Sequence, residues 1–121
     1  MLQIKNVSKS FQDNIILNHI SWDIQPGHIY GLIGKNGAGK STLMRCVSGV
    51  YEIDHGQVLF NNIDIKDNPN VKRDIVLLSD YPFELKQSNL KQLSEFYQIF
   101  YPQFDQTIYR QLVELFSYNE T

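Results

Sequence analysis

Eight consecutive residues, Gly34-Lys35-Asn36-Gly37-Ala38-Gly39-Lys40-Ser41, carry the G-x-x-x-x-G-K-S pattern of a loop that grips phosphate. Glycines at 34, 37 and 39 let the backbone curl until successive N–H groups face one point. A helix that starts there adds the positive end of its dipole. Lys40 is the cation placed to reach β- and γ-phosphates, and the Ser41 hydroxyl is the natural ligand for Mg²⁺. Asn36, Ala38 and Thr42 complete the cradle. A glycine-rich turn with no binding role needs neither the Lys-Ser pair nor three spaced glycines. The chemistry this spacing points to is nucleotide-phosphate binding.

Such a loop must be held between a strand and a helix. The apolar run Ile29-Tyr30-Gly31-Leu32-Ile33 predicts a buried strand before it. Residues 41–47 predict the helix after it, ended by Ser48-Gly49 with Gly49 as the cap. Leu2-Gln3-Ile4-Lys5-Asn6-Val7 alternates and reads as a half-buried strand. Residues 15–17 and 20–24 read as a second strand pair, with a turn at Pro26-Gly27. Asp54-His55-Gly56 reads as a turn, 57–60 as a strand, and Asn61-Asn62 as a tight turn. A loop is expected at 67–70 and a buried strand at 75–78.

After residue 88 the period becomes helical, with Leu90, Leu93, Tyr97 and Tyr101 on one face. Ser88 is the expected N-cap and Pro102 the stop. Asp105 caps a further helix that carries Ile108, Leu112, Leu115 and Phe116 on one stripe. The expected architecture is α/β. The loop sits at the end of a central parallel strand, beside a small antiparallel sheet from residues 2–24. The expected division is 1–87 for the nucleotide-binding core and 88–121 for the start of a helical subdomain.

Composition narrows the function. Of 121 residues, 42% are apolar and 20% charged, ordinary for a globular chain with a core. Eleven basic residues stand against 13 acidic ones without clustering, which argues against a nucleic-acid partner. The single cysteine, Cys46, rules out a disulfide framework within the chain and suits a reducing cytosol. There is no 18-residue apolar run, and the N-terminal residues lack a signal-peptide pattern.

The wider segment Gly31-Leu32-Ile33-Gly34-Lys35-Asn36-Gly37-Ala38-Gly39-Lys40-Ser41-Thr42-Leu43 resembles the ATP-binding cassette (ABC) family. The flanking order fits as well: Ser8-Lys9-Ser10-Phe11, then Leu17-Asn18-His19-Ile20-Ser21, Ile24-Gln25-Pro26-Gly27, Gly49-Val50-Tyr51 and His55-Gly56-Gln57-Val58. The resemblance covers essentially the whole chain and is strongest over 1–60. It implies ATP and Mg²⁺ as ligands. It also implies that Phe11 is the aromatic that stacks on adenine, where Tyr is commoner, and that Ile16 flanks the base or ribose. It puts Asp80 where the family usually has a Gln that contacts Mg²⁺ and the attacking water. As an anion, Asp80 could ligate the metal directly or through water. Lys40 and Asp80 are thus the candidate catalytic residues, with Ser41 and Asp80 the candidate metal ligands.

The family's remaining hydrolytic parts are not in these residues. Leu93-Ser94-Glu95 starts like the LSGGQ signature but lacks both glycines. Ile75-Val76-Leu77-Leu78-Ser79-Asp80 lacks the Asp-Glu ending of an apolar strand. His19, His28 and His55 all precede the point where the family's catalytic His belongs. The resemblance therefore implies the N-terminal half of an ABC ATPase domain, cut inside its helical subdomain and inactive alone. The order Asp80-Tyr81-Pro82-Phe83, then Tyr101-Pro102-Gln103-Phe104-Asp105, resembles bacterial exporter ATPases for antibiotics or phenol-soluble modulins. Those work with a separate permease subunit and a second ATPase subunit, in the cytoplasm at the inner face of the cell membrane. Two other classes compete. One is a soluble ABC ATPase acting in translation, DNA repair or Fe–S assembly. The other is a P-loop GTPase, disfavoured because Asn61-Asn62-Ile63-Asp64 lacks the Lys of a guanine-reading loop.

Overall fold

A computed structural model describes residues 1–79 and 88–117. The chain divides into two compact units, the first ending at Leu78 and the second beginning at Ser79.

The first unit is built on an antiparallel sheet of four strands in the order β2-β1-β3-β4. The strands are β1 (Leu2–Phe11), β2 (Asn14–Ile24), β3 (His55–Phe60) and β4 (Ile63–Asp64). β1 and β2 are longer than the sequence suggests, and the two segments expected at 15–17 and 20–24 are one strand. The interruption between them is a local irregularity. The β1–β2 register shifts between Ile4 and Ser10, and Asn6 (φ 54°) and His19 (φ 51°) lie in or opposite that stretch. Side chains replace ladder bonds there: Asn6 N–H donates to Ser21 Oγ at 2.9 Å, and His19 N–H to Ser8 Oγ at 3.0 Å. β3 follows a matching irregularity. Gly56 has φ 93°, and a Cβ on it would collide with the carbonyl oxygens of Lys5 and Asn6. Asn61 and Asn62 form the expected tight turn into β4, with φ of 49° and 65°.

Helix α1 (Lys40–Val47) buries Leu43 and Cys46 on the sheet. They join Ile4, Val7, Leu17, Val58, Ile65 and Val71 in one core. Burial of each large aliphatic side chain contributes about 1.5–3 kcal/mol. Residues 67–70, expected as loop, lead into a short helix, α2 (Pro69–Lys72). Pro69 takes the first helical position, where its missing N–H costs nothing.

The runs at 29–33 and 75–78 are not strands among the described residues. Only part of each run faces inward. Leu32 and Ile75 pack on the core, whereas Ile29 is 102% exposed, Ile33 96% and Leu78 88%. Tyr30 meets Trp22 edge-on at 5.4 Å, and its hydroxyl accepts from Gln25 N–H at 3.1 Å. The apolar alternation is there, but a strand also needs a neighbour's ladder of hydrogen bonds. The described residues supply none to these segments.

The second unit is helical. α3 (Leu90–Phe100) is capped by Asn89 rather than Ser88. Asn89 Oδ1 accepts from Gln92 N–H at 2.9 Å, and Gln92 Oε1 accepts from Asn89 N–H at 3.1 Å, a reciprocal capping box. α4 (Gln106–Leu115) is capped by Asp105, whose Oδ1 accepts from Thr107 and Ile108 N–H at 2.8 and 3.1 Å. Its stripe of Ile108, Leu112, Leu115 and Phe116 is exposed. No helix among the described residues is long and apolar enough to cross a membrane.

Candidate functional site

The glycine-rich loop enters α1 through a glycine cap. Gly39 has φ 93°, and its carbonyl accepts the first helical bond, from Leu43 N–H at 2.8 Å. A Cβ at Gly39 would sit 3.0 Å from the Ile16 carbonyl oxygen and 3.1 Å from Ile16 Cγ2, so the loop lies directly on β2. Gly39 offers no side-chain cap. The N–H groups of the first helical turn therefore have no partner from the cap residue, which leaves them to an anion. No acidic residue occupies that turn to compete. Ahead of it, Ala38 N–H closes a turn on Lys35 O at 3.1 Å, and Gly37 has φ 84°. Lys40 folds back over the loop. Its ammonium donates to Gly34 O at 2.5 Å and Lys35 O at 2.7 Å. Two loop carbonyl oxygens thus hold the ammonium against the loop backbone.

Eight of the residues singled out from sequence line one open cleft of about 420 Å³: Phe11, Ile16, Asn36, Gly37, Gly39, Lys40, Ser41 and Thr42. Phe11 and Ile16 come from the β1–β2 hairpin; the others come from the loop and α1. Gly34 and Ala38 shape the loop without lining the cleft. Asp80 lies outside the described residues. The volume suits a small-molecule ligand. One wall is an aromatic ring and an aliphatic side chain. The other is a cationic, N–H-rich helix start, the pairing that a base and a polyphosphate require. The site also fits a hard cation: Ser41, which carries a hydroxyl, lines the cleft.

Sequence reasoning missed the residues around Phe11. Phe11 is 41% exposed and meets Tyr51 edge-on at 5.4 Å. Lys9 Nζ lies 5.3 Å from the Phe11 ring centroid and pairs with Asp54 Oδ1 at 2.9 Å. Asp54 Oδ2 accepts Ser10 N–H at 2.7 Å. The Lys9 ammonium, and then the Ser10 N–H, hold the Asp54 carboxyl below its ordinary value. Asp54 is more than 40 residues from Ser10, so no local spacing signals the pair. Below the loop, burial pushes the Cys46 thiol up, leaving it a packing group with little thiolate.

Comparison with known proteins agrees with this geometry. A sequence model described as ABC transporter matches residues 17–118. The chain is 34% identical over 122 residues to the ABC transporter ATP-binding protein YtrB of Bacillus subtilis, covering all of this chain and 41% of YtrB. It is 43% identical over 72 residues to the methionine import ATP-binding protein MetN of Clostridium tetani, covering 60% of this chain and 23% of MetN. It is 37% identical over 83 residues to the SkfA peptide export ATP-binding protein SkfE of Bacillus subtilis, covering 69% of this chain and 34% of SkfE. A solved ATP-binding subunit of an ABC transporter superposes with TM-score 0.78 at 23% identity, over 92% of this chain and 46% of that one. The chain thus spans less than half the length of these relatives. A phosphate loop on a glycine cap, facing an aromatic on an antiparallel hairpin, is here joined to a family match over most of the residues, and the chain belongs to the ABC transporter family as an ATP-binding domain.

Proposed function

We propose that this chain is the ATP-binding part of an ABC ATPase subunit that powers export across the cytoplasmic membrane. The observation that carries the reading is the cleft itself, with Phe11 and Ile16 facing Lys40, Ser41 and Thr42. Adenine stacks on Phe11, and Ile16 flanks the base or ribose. The free N–H groups at the start of α1 take the phosphate oxygens, and the Lys40 ammonium leaves Gly34 O and Lys35 O for the β- and γ-phosphates. Ser41, together with Asp80, holds Mg²⁺, which supplies charge neutralisation at the phosphates. Phosphoryl transfer rests on such placement and charge stabilisation.

Binding is what this chain does alone. Its residues hold no Asp-Glu pair after an apolar strand and no LSGGQ-type signature. Water activation and closure over the γ-phosphate therefore belong to the longer protein, with a second ATPase subunit. A permease subunit selects the cargo and holds the ATPase at the inner membrane face. The name of SkfE favours export, and that of MetN makes import the competing direction. A soluble ABC ATPase acting in translation, DNA repair or Fe–S assembly is the alternative class. The balance of 11 basic and 13 acidic residues, without clustering along the sequence, argues against nucleic-acid binding in that class.

Titration of the chain with ATP and Mg²⁺, with phosphate release followed in parallel, tests the reading. Saturable binding without turnover is expected. Absence of binding, or turnover matching a chain extended through the missing motifs, would overturn it.

A further inference from the structure

The Phe11 wall of the cleft stands where the sheet runs out of strand. β3 pairs with β1 only as far as Ser8, opposite His55. Beyond that point Ser10 and Phe11 are paired on the β2 side alone, with Ile15 and Asn14. On the open side one residue does what a strand would do. Asp54 N–H donates to Ser8 O at 3.0 Å. Its carboxylate then reaches further along β1, taking Ser10 N–H at 2.7 Å and the Lys9 ammonium at 2.9 Å. That ammonium lies over the Phe11 ring, and Tyr51, three residues before Asp54, meets the ring edge-on. Tyr51 is in turn tied to α1: its N–H donates to Arg45 O at 3.0 Å, and the Arg45 guanidinium lies 5.6 Å from its ring centroid.

We propose that Asp54 is a positioning residue for the nucleotide base, fixing the Phe11 ring through Ser10 and Lys9 before the base arrives. The inference rests on Phe11 being the base platform. A stacking ring contributes fully only if its orientation is set in advance, because ordering a free side chain on binding subtracts from affinity. Phe11, near the end of a two-stranded hairpin and 41% exposed, would otherwise supply that order itself. Asp54 anchors the backbone on one side of the ring and the cation over it, leaving the ring's remaining surface to the cleft.

The test compares ATP with inorganic tripolyphosphate, which has the charge but no base. Binding of both, with Mg²⁺, is measured for the parent chain, Asp54→Ala, Asp54→Asn, Phe11→Ala and Asp54→Ala/Phe11→Ala. Asp54→Ala is expected to weaken ATP about fivefold, within the range of a lost preorganised contact, and to leave tripolyphosphate unchanged. In the Phe11→Ala background the same change is expected to add less than about twofold, the non-additivity of residues acting as a unit. Should Asp54→Ala fail to fold, Asp54→Asn carries the test. It keeps an acceptor for Ser10 N–H, loses the charge facing Lys9, and is expected to weaken ATP about twofold to threefold without affecting tripolyphosphate. Equal losses for ATP and tripolyphosphate, or unchanged ATP affinity in both Asp54 variants, would overturn the inference. ATP binding indifferent to Phe11→Ala would remove the base platform, and this inference with it. Binding sensitive to Phe11 but not to Asp54 overturns the inference alone.

Discussion

The two walls of the cleft are made in opposite ways. The loop wall, proposed to take the phosphates, comes from one short stretch between Asn36 and Thr42, and its geometry comes from backbone torsions and one folded-back lysine. The hairpin wall, proposed to take the base, is assembled from three places in the chain: the β1 end with Lys9 and Phe11, Ile16 on β2, and Tyr51 with Asp54 ahead of β3. The first wall is a local structure that packing merely seats. The second exists only once the sheet has formed. Perturbations should therefore separate: changes in the loop should act on any polyphosphate, and changes on the hairpin should act only on ligands with a base.

The largest expected effect is Lys40→Ala. The ammonium is the one side-chain cation lining the cleft among the described residues. Charge-assisted bonds of this kind contribute about 1.5–3 kcal/mol, so affinity should fall tenfold at the least. ATP and tripolyphosphate should lose alike in titration calorimetry. A loss confined to ATP would break the division between the walls.

Next is Gly39→Ala, at the point where the walls meet. A Cβ there meets the Ile16 carbonyl at 3.0 Å while the backbone is held at φ 93°. The left-handed conformation alone costs a non-glycine residue roughly 1–2 kcal/mol, and the close contact adds to it. A fall of about 2 kcal/mol in urea-unfolding free energy is expected. A variant as stable as the parent would show that the loop does not bear on β2 as closely as its geometry indicates.

Legibility followed the same division. The loop, its helix and the Asn61-Asn62 turn could be read because each depends on residues within a few positions. The irregularities at Asn6, His19 and Gly56 could not, because each depends on two strands meeting: Ser8 and Ser21 side chains stand in for ladder bonds, and Gly56 clears the carbonyls of Lys5 and Asn6. The runs at 29–33 and 75–78 are the instructive errors. Their apolar runs predict buried strands, and part of each does pack, through Leu32 and Ile75. Hydrophobic pattern reports which side faces a core; it does not supply the neighbouring ladder that makes an extended segment a strand. Asn89 taking the cap in place of Ser88 is a smaller error of the same origin, since the reciprocal bond with Gln92 decided it.

Phe11→Ala comes third and sharpens the comparison from the other side. Loss of one stacking ring is expected to weaken ATP by about 1–2 kcal/mol. GTP should lose as much, because stacking reads a π-face and not a hydrogen-bonding edge. Tripolyphosphate should be unaffected. A loss selective for one base would place base recognition elsewhere.

The smallest effect concerns Asp54 and acid. The Lys9 ammonium and the Ser10 N–H favour its charged form in the folded chain, so its folded value lies below the unfolded one. A depressed carboxyl stabilises the fold fully above the unfolded value, about pH 4, and that contribution is lost as pH falls through the lower folded value. The measurement is the difference in melting temperature between the parent and Asp54→Asn from pH 6 down to pH 3. Every other carboxyl titrates in both proteins and cancels to first order. The parent's advantage should be flat near pH 6 and shrink below about pH 4, as the depressed carboxyl takes up its proton. A difference that stays constant to pH 3 would show that the Asp54 charge does not stabilise the fold. The hairpin wall would then be as insensitive to charge as a wall made only of packing.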